Sequence, residues 1–191
     1  VFGVRGVMGL ELTVYGPARV LHSGHYGNWA PNPAARLAEL LAGLRDGDGR
    51  VLVDGFYDDV RPLSAAERDA IDALPEIDPA LRRELLLAAS EAGDALLAGR
   101  IAQPALNVRG LAAGAVGEEA RNAIPTQARA SIDFRLVPDQ TPEAVRQRVE
   151  EHLAARGWHI VDAEPSAELR LVHPRIVRLD WGRGYPALRT P

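Results

Sequence analysis

The stretch Asn122-Ala-Ile-Pro125-Thr-Gln127-Ala-Arg129-Ala-Ser131-Ile-Asp133-Phe-Arg135-Leu-Val-Pro138 decides how the rest of the chain is read. Its second half alternates. Ala128, Ala130, Ile132, Phe134 and Leu136 fall on one side, and Gln127, Arg129, Ser131, Asp133 and Arg135 fall on the other. A period of two is the mark of a half-buried strand in an antiparallel sheet. Pro125 and Pro138 bracket it where neither must donate to a ladder. We expect this to be the central strand of the domain, with a functional outer face on which Arg129 and Arg135 can meet an anion.

Working outward, Val7 to Gly16 alternates in the same way and stops at Gly16-Pro17. Asn32-Pro33 reads as an N-cap followed by proline at the first helical position. Leu37, Leu40, Leu41 and Leu44 then recur at helical spacing, so one face packs on the sheet. Arg50 to Phe56 reads as a short second strand and Ala105 to Leu111 as a third. Thr141-Pro142-Glu143 opens a last helix with Val145, Val149 and Leu153 inward, stopped by Gly157. Trp158 to Ala163 and Glu168 to Val172 supply a final strand, or a hairpin broken at Pro165.

Between residues 57 and 104 the alternation vanishes and Ala, Leu, Glu and Arg dominate. Ser64 with Glu67 has the form of a capping box, and Asp78-Pro79 opens another helix with Leu81, Leu85 and Ala89 on one side. We read 57–104 as a helical insertion. The whole, residues 1–191, is expected to be one α+β domain: a two-layer sandwich with a four-stranded antiparallel sheet, two helices on one face, and the insertion.

The chain has 191 residues, a formal charge of -4 and no cysteine. No basic stripe points to nucleic acid, and disulfides and thiolate metal sites are excluded. No apolar run approaches the roughly 20 residues that span a bilayer, so no membrane partner is expected; the lack of cysteine fits a reducing cytoplasm, which is the expected location. The chain opens Val1-Phe2-Gly3-Val4 without an initiator Met and closes in mid-loop at Pro191. Both ends read as cut, and we expect a piece of a longer protein.

The residues that could carry chemistry are few. His22-Ser23-Gly24-His25 lies in a Gly- and Pro-rich loop. His22 is either an imidazole reaching out toward an oxyanion or a metal, or a loop histidine with a backbone partner. His22 and His25 fall short of the three or four ligands that zinc wants, so no metal site is expected in this chain. Glu118-Glu119 and Asp58-Asp59 are adjacent acids, whose side chains usually diverge into solvent. Arg135 suits a carboxylate, bidentately, or a cross-strand acid. No phosphate loop, Ser-His-Asp order or dinucleotide fingerprint is present.

At these residues the chain resembles a known family. Leu21-His22-Ser23-Gly24-His25-Tyr26-Gly27 with Asn32-Pro33 is similar to the His-Ser-Gly loop of the M20 zinc metallopeptidases. Asp54-Gly55-Phe56-Tyr57-Asp58-Asp59-Val60, Asn107-Val108-Arg109-Gly110, Ile124-Pro125 and Phe134-Arg135-Leu136-Val137-Pro138 resemble further elements of that family, in order. The insertion resembles its carnosinase-like dipeptidase branch. The resemblance implies a lid, or dimerisation, domain inserted into a catalytic domain that carries two zinc ions, so the fragment alone is expected to be inactive and metal-free. It implies that His22 enters the partner subunit's active site to stabilise the oxyanion, that Arg135 holds the substrate's terminal carboxylate, and that Asn122 and Asn107 contact substrate. The resemblance further implies that in the whole enzyme zinc would activate a water and a catalytic-domain Glu would shuttle its proton. The implied partners are a second copy, through Asn32 to Leu44 and a neighbouring edge strand, and a dipeptide or small peptide. The alternatives are the lid of an M20 N-acyl amino acid deacylase, and a non-catalytic module binding a small carboxylate through Arg129 and Arg135. Two departures from the family pattern are Val20, where an acid is usual, and Asn28, where a glycine is.

Overall fold

The computed structural model describes residues 3–91 and 93–189. In chain order its strands and helices are β1 (Gly3–Val4), β2 (Gly6–Tyr15), β3 (Leu21–His22), α1 (Ser23–Tyr26), α2 (Pro33–Leu44), α3 (Ala65–Asp72), α4 (Asp78–Glu84), α5 (Leu97–Ile101), β4 (Ala105–Ala112), β5 (Ala123–Ile124), β6 (Gln127–Leu136), α6 (Pro142–Ala155), β7 (His159–Val161), α7 (Ala167–Val172), β8 (Ile176–Trp181) and β9 (Leu188–Arg189).

The class is α+β, as expected, but the sheet differs in detail. It is a mixed sheet of five strands in the order β4-β6-β2-β8-β7. The middle strand is β2, flanked by β6 and β8; β6 lies one place nearer the edge. Strands β2 and β6 pair antiparallel along their whole length, from Gly6 opposite Leu136 to Tyr15 opposite Gln127. The fifth strand, β7, runs parallel to β8. A parallel neighbour needs a crossover, and α7 supplies it. Of the two segments expected to close the sheet, Trp158 to Ala163 holds the edge strand β7, whereas Glu168 to Val172 lies in that helix, with Ser166 Oγ accepting from the Leu169 N–H. The strand that joins β7 to β2 is instead β8. Residues 50–56 form turns around one bridge between Arg45 and Val51, not a strand; Val51, Val53 and Phe56 still reach the core.

The apolar side of β6 is buried throughout. It meets Leu10, Leu12 and Val14 of β2, Val177 and Leu179 of β8, Leu37, Leu40 and Leu44 of α2, and Val145, Val149 and Leu153 of α6 in one cluster. Both helices start as the sequence directs. Asn32 Oδ1 accepts from the Ala34 N–H and Thr141 Oγ1 from the Ala144 N–H. Gly157, at φ +80°, follows the end of α6.

Residues 57–104 hold three short helices, α3 to α5, none of which contributes a buried residue. The capping box at Ser64 and Glu67 forms. Helix α4 ends at Glu84, and Leu86 turns left-handed at φ +55°, so Leu85 and Ala89 do not continue its face. No helix among the described residues is long and apolar enough to cross a membrane.

Candidate functional site

His22 is placed by a two-residue ladder. β3 pairs with β5, Leu21 opposite Ile124 and His22 opposite Ala123, and the Ser23 N–H donates to the Asn122 carbonyl at 2.9 Å. Leu21 and Ile124 are buried and anchor the ladder. Successive strand residues face opposite ways, so His22 is turned outward and is exposed. The ladder therefore brings His22 and Asn122, remote in sequence, to one spot. Asn122 is exposed there as well.

The imidazole is held by its own loop. Nδ1 of His22 accepts from the Gly24 N–H at 3.0 Å. In the neutral ring the proton then sits on Nε2, which is left as an outward donor. This explains the glycine: a Cβ at Gly24 would come 2.9 Å from His22 Cε1. A Cβ at Gly27 would meet the Ser23 carbonyl at 2.6 Å, and the Gly27 N–H donates to that carbonyl. Asn28 adopts φ +62°, a left-handed turn that asparagine tolerates almost as glycine does, so the departure noted in sequence keeps that turn. The His25 ring lies 4.8 Å from that of His22.

Arg135 stands at the other end of β6. Its Nε donates to Asp133 Oδ2 at 2.8 Å, and Asn107 Nδ2 donates to Asp133 Oδ1 at 3.1 Å. Arg135 and Asn107, both singled out in sequence, thus meet on one carboxylate that sequence reading passed over. Arg5 borders the same group, its Nη2 donating to the Gln103 carbonyl. Burial lowers the pKa of Arg5, Arg135 pushes the same way, and Asp133 opposes both. Arg5 and Asn107 line a groove between the sheet edge and the helical segment. The signal available in sequence was position: Asp133 lies two residues before Arg135, hence on the same face of the strand.

The two ends of β6 are too far apart to touch one small molecule. Gln127, beside the His22 loop, and Arg135 are eight residues apart, about 27 Å of extended strand. Arg129 and Arg135 are about 20 Å apart on the same measure, so they cannot share one small carboxylate.

The remaining acids form no centre. Glu118 and Glu119 sit exposed in a short 3-10 turn, and Asp59 pairs with Arg148 at 2.7 Å. Among the described residues no three His, Asp or Glu side chains come together to hold a metal. His22 and His25 do not fit one, because Nδ1 of His22 is occupied and no carboxylate joins them.

The family model of the M20 peptidase dimerisation domain matches residues 2–159. The chain belongs to that family. The M20 domain is 27% identical over 176 residues to the Cys-Gly metallodipeptidase DUG1 of Saccharomyces cerevisiae, covering 90% of this chain and 36% of the relative. It is 31% identical over 157 residues to the Beta-Ala-His dipeptidase of Rattus norvegicus, covering 80% of this chain and 32% of the relative. Among solved structures, the M20 family metallo-carboxypeptidase Sso-CP2 of Sulfolobus solfataricus superposes with a TM-score of 0.78 at 29% identity, covering the whole chain and 46% of that protein. The M20 domain therefore spans about a third of the length of the curated relatives it matches.

Proposed function

We propose that this domain is the dimerisation and substrate-capping lid of a metal-dependent dipeptidase. It lends His22 and Asn122 to the active site of a second copy, and Arg135 to its own. The observation that carries the proposal is the separation of the two groups. An extended dipeptide spans only about 7 Å, so His22 and Arg135 of one chain cannot grip the same substrate, whereas residues from two copies can.

The roles follow from the donors. The Nε2–H of His22 points outward and can donate to the oxyanion that develops on a scissile carbonyl; such preorganised donors are each worth about 10²–10³-fold in rate. The guanidinium of Arg135 receives the substrate's terminal carboxylate. The metallodipeptidase relatives support a peptide substrate and a metal in the parent protein. With no metal-binding cluster among the described residues, the metal is assigned to parts of the parent outside this domain. Residues 57–104 are an insertion into the lid, and the lid alone is inactive.

For the dimer, α2 packs on β6 and β2, and the neighbouring edge is β4. We assign the interface to the exposed side of α2, with Ala35, Ala38, Glu39 and Ala42, and to the open edge of β4. A monomer in sedimentation at high concentration would count against it.

Subunit mixing tests the whole reading. The intact enzyme carrying His22→Ala and a second version lacking a metal ligand are each expected to be nearly inactive. Mixed, they recover part of the activity, because hybrid dimers contain one complete site. No recovery in demonstrated hybrid dimers sinks the exchange of His22.

A further inference from the structure

Asp133 is an unusual residue to find where it is. Its side chain is 7% exposed, and both carboxylate oxygens are taken. Burying a carboxylate is costly unless it is paired and hydrogen-bonded. Here its partners are Asn107 and Arg135, which resemblance and geometry bring into the proposed substrate site.

The geometry of the pairing is selective. Arg135 is 47% exposed at its side chain, and the hydrogen bond to Asp133 uses Nε. A guanidinium tied at Nε still has both terminal nitrogens free, and these form a planar fork that matches a carboxylate end-on. An arginine without that tie keeps its rotamer freedom and must lose it on binding. Arg5 cannot take over the task, since its Nη2 is spent on the Gln103 carbonyl. Asp133 also supplies the negative charge that lets Arg5 and Arg135 lie side by side.

We infer that Asp133 is a positioning residue: braced by Asn107, it clamps Nε of Arg135 so that the terminal nitrogens face the substrate's C-terminal carboxylate. The inference rests on the proposal that Arg135 binds that carboxylate.

The experiment measures kcat and KM of the intact enzyme on one dipeptide and on its C-terminal amide. The amide lacks the charge that Arg135 recognises. Arg135→Met is expected to collapse the preference for the free acid. Asp133→Asn is expected to reduce that preference roughly tenfold, the cost of a loosened charge-assisted contact. The loss falls in KM, with kcat and amide hydrolysis changed by less than about twofold, as for binding lost equally from ground and transition states. In the Asp133→Asn/Arg135→Met double variant the preference falls no further than with Arg135→Met alone.

If Arg135→Met leaves the preference intact, the assignment of Arg135 fails. If Arg135→Met abolishes it but Asp133→Asn does not change it, or depresses both substrates and kcat alike, the positioning role is overturned while Arg135 stands. Should Asp133→Asn not fold, Asn107→Ala removes the other donor to the same carboxylate. It is expected to shift the preference in the same direction, and no shift overturns the inference.

Discussion

Nε2 of His152 donates to the main-chain carbonyl of Gly43 at 3.0 Å, and so ties α6 to α2 across the helical layer. The acceptor has no proton to give, so the imidazole hydrogen sits on Nε2. Nδ1 is then an acceptor, with the Asp54 N–H and Arg156 Nη1 each at 3.2 Å. His152 is 2% exposed. It is a core residue that pins the turn at 51–58 in place of the strand expected there.

His152→Ala leaves both main-chain partners without their bond, each at a cost of about 1–3 kcal/mol, and opens a cavity besides. We expect this domain to lose at least about 2 kcal/mol in denaturant unfolding with the slope unchanged. A loss below 0.5 kcal/mol, the size of an ordinary surface change, would mean that the neighbouring groups find other partners.

Gly24→Ala tests whether the His22 loop is built for its ring. The added carbon comes 2.9 Å from His22 Cε1 and 3.1 Å from its Nδ1, and outside its chain neighbours and its own helix backbone it meets nothing else within 4 Å. The ring must therefore swing, while the rest of the domain is untouched. In the intact enzyme the expected outcome is a loss of activity of at least about tenfold, since a donor displaced by 1 Å weakens its transition-state contact. The melting temperature stays within about 2 °C, as for a surface change. Full activity would remove Gly24 from the account of the loop.

The capping box of α3 gives a pH dependence. The Ser64 N–H and hydroxyl hold the Glu67 carboxyl below its ordinary value. A depressed folded-state pKa adds stability at pH above the unfolded carboxylate range, and that contribution is lost as pH falls through the folded value. Amide exchange in α3 is expected to accelerate on acidification from neutral pH, relative to α6. Glu67→Gln should flatten that difference; an unchanged pH profile would assign the effect elsewhere.

What was legible in sequence depended on period and caps. β2 and β6 show a clean alternation over ten residues each. Helices α2 and α6 begin at Asn32-Pro33 and Thr141-Pro142, where cap and helical proline coincide. Trp158 to Ala163 holds a strand as expected, but Glu168 to Val172 is a helix: it alternates over five residues only, too few to separate a strand from one turn of helix. Ser166 was the missing clue, as an N-cap. At the site, His22, Asn122, Asn107 and Arg135 could be picked individually. That His22 lies with Asn122, and Asn107 with Arg135 around Asp133, is fixed by ladders between distant segments, and strand pairing is not written in local sequence.

Strands β1 and β9 pair with Gly3 opposite Arg189 and Val4 opposite Leu188, which leaves the cross-strand Cα atoms about 5 Å apart. Gly3 and Arg189 thus lie side by side. A short Gly-Ser bridge can join them, and the exposed loop at Pro75-Glu76 offers a place to open the chain instead. Such a circular permutant keeps the ladders of the five-stranded sheet, because the cut falls between α3 and α4 and interrupts none of its strands. The order in which the strands leave the ribosome can then be changed while the folded sheet stays the same.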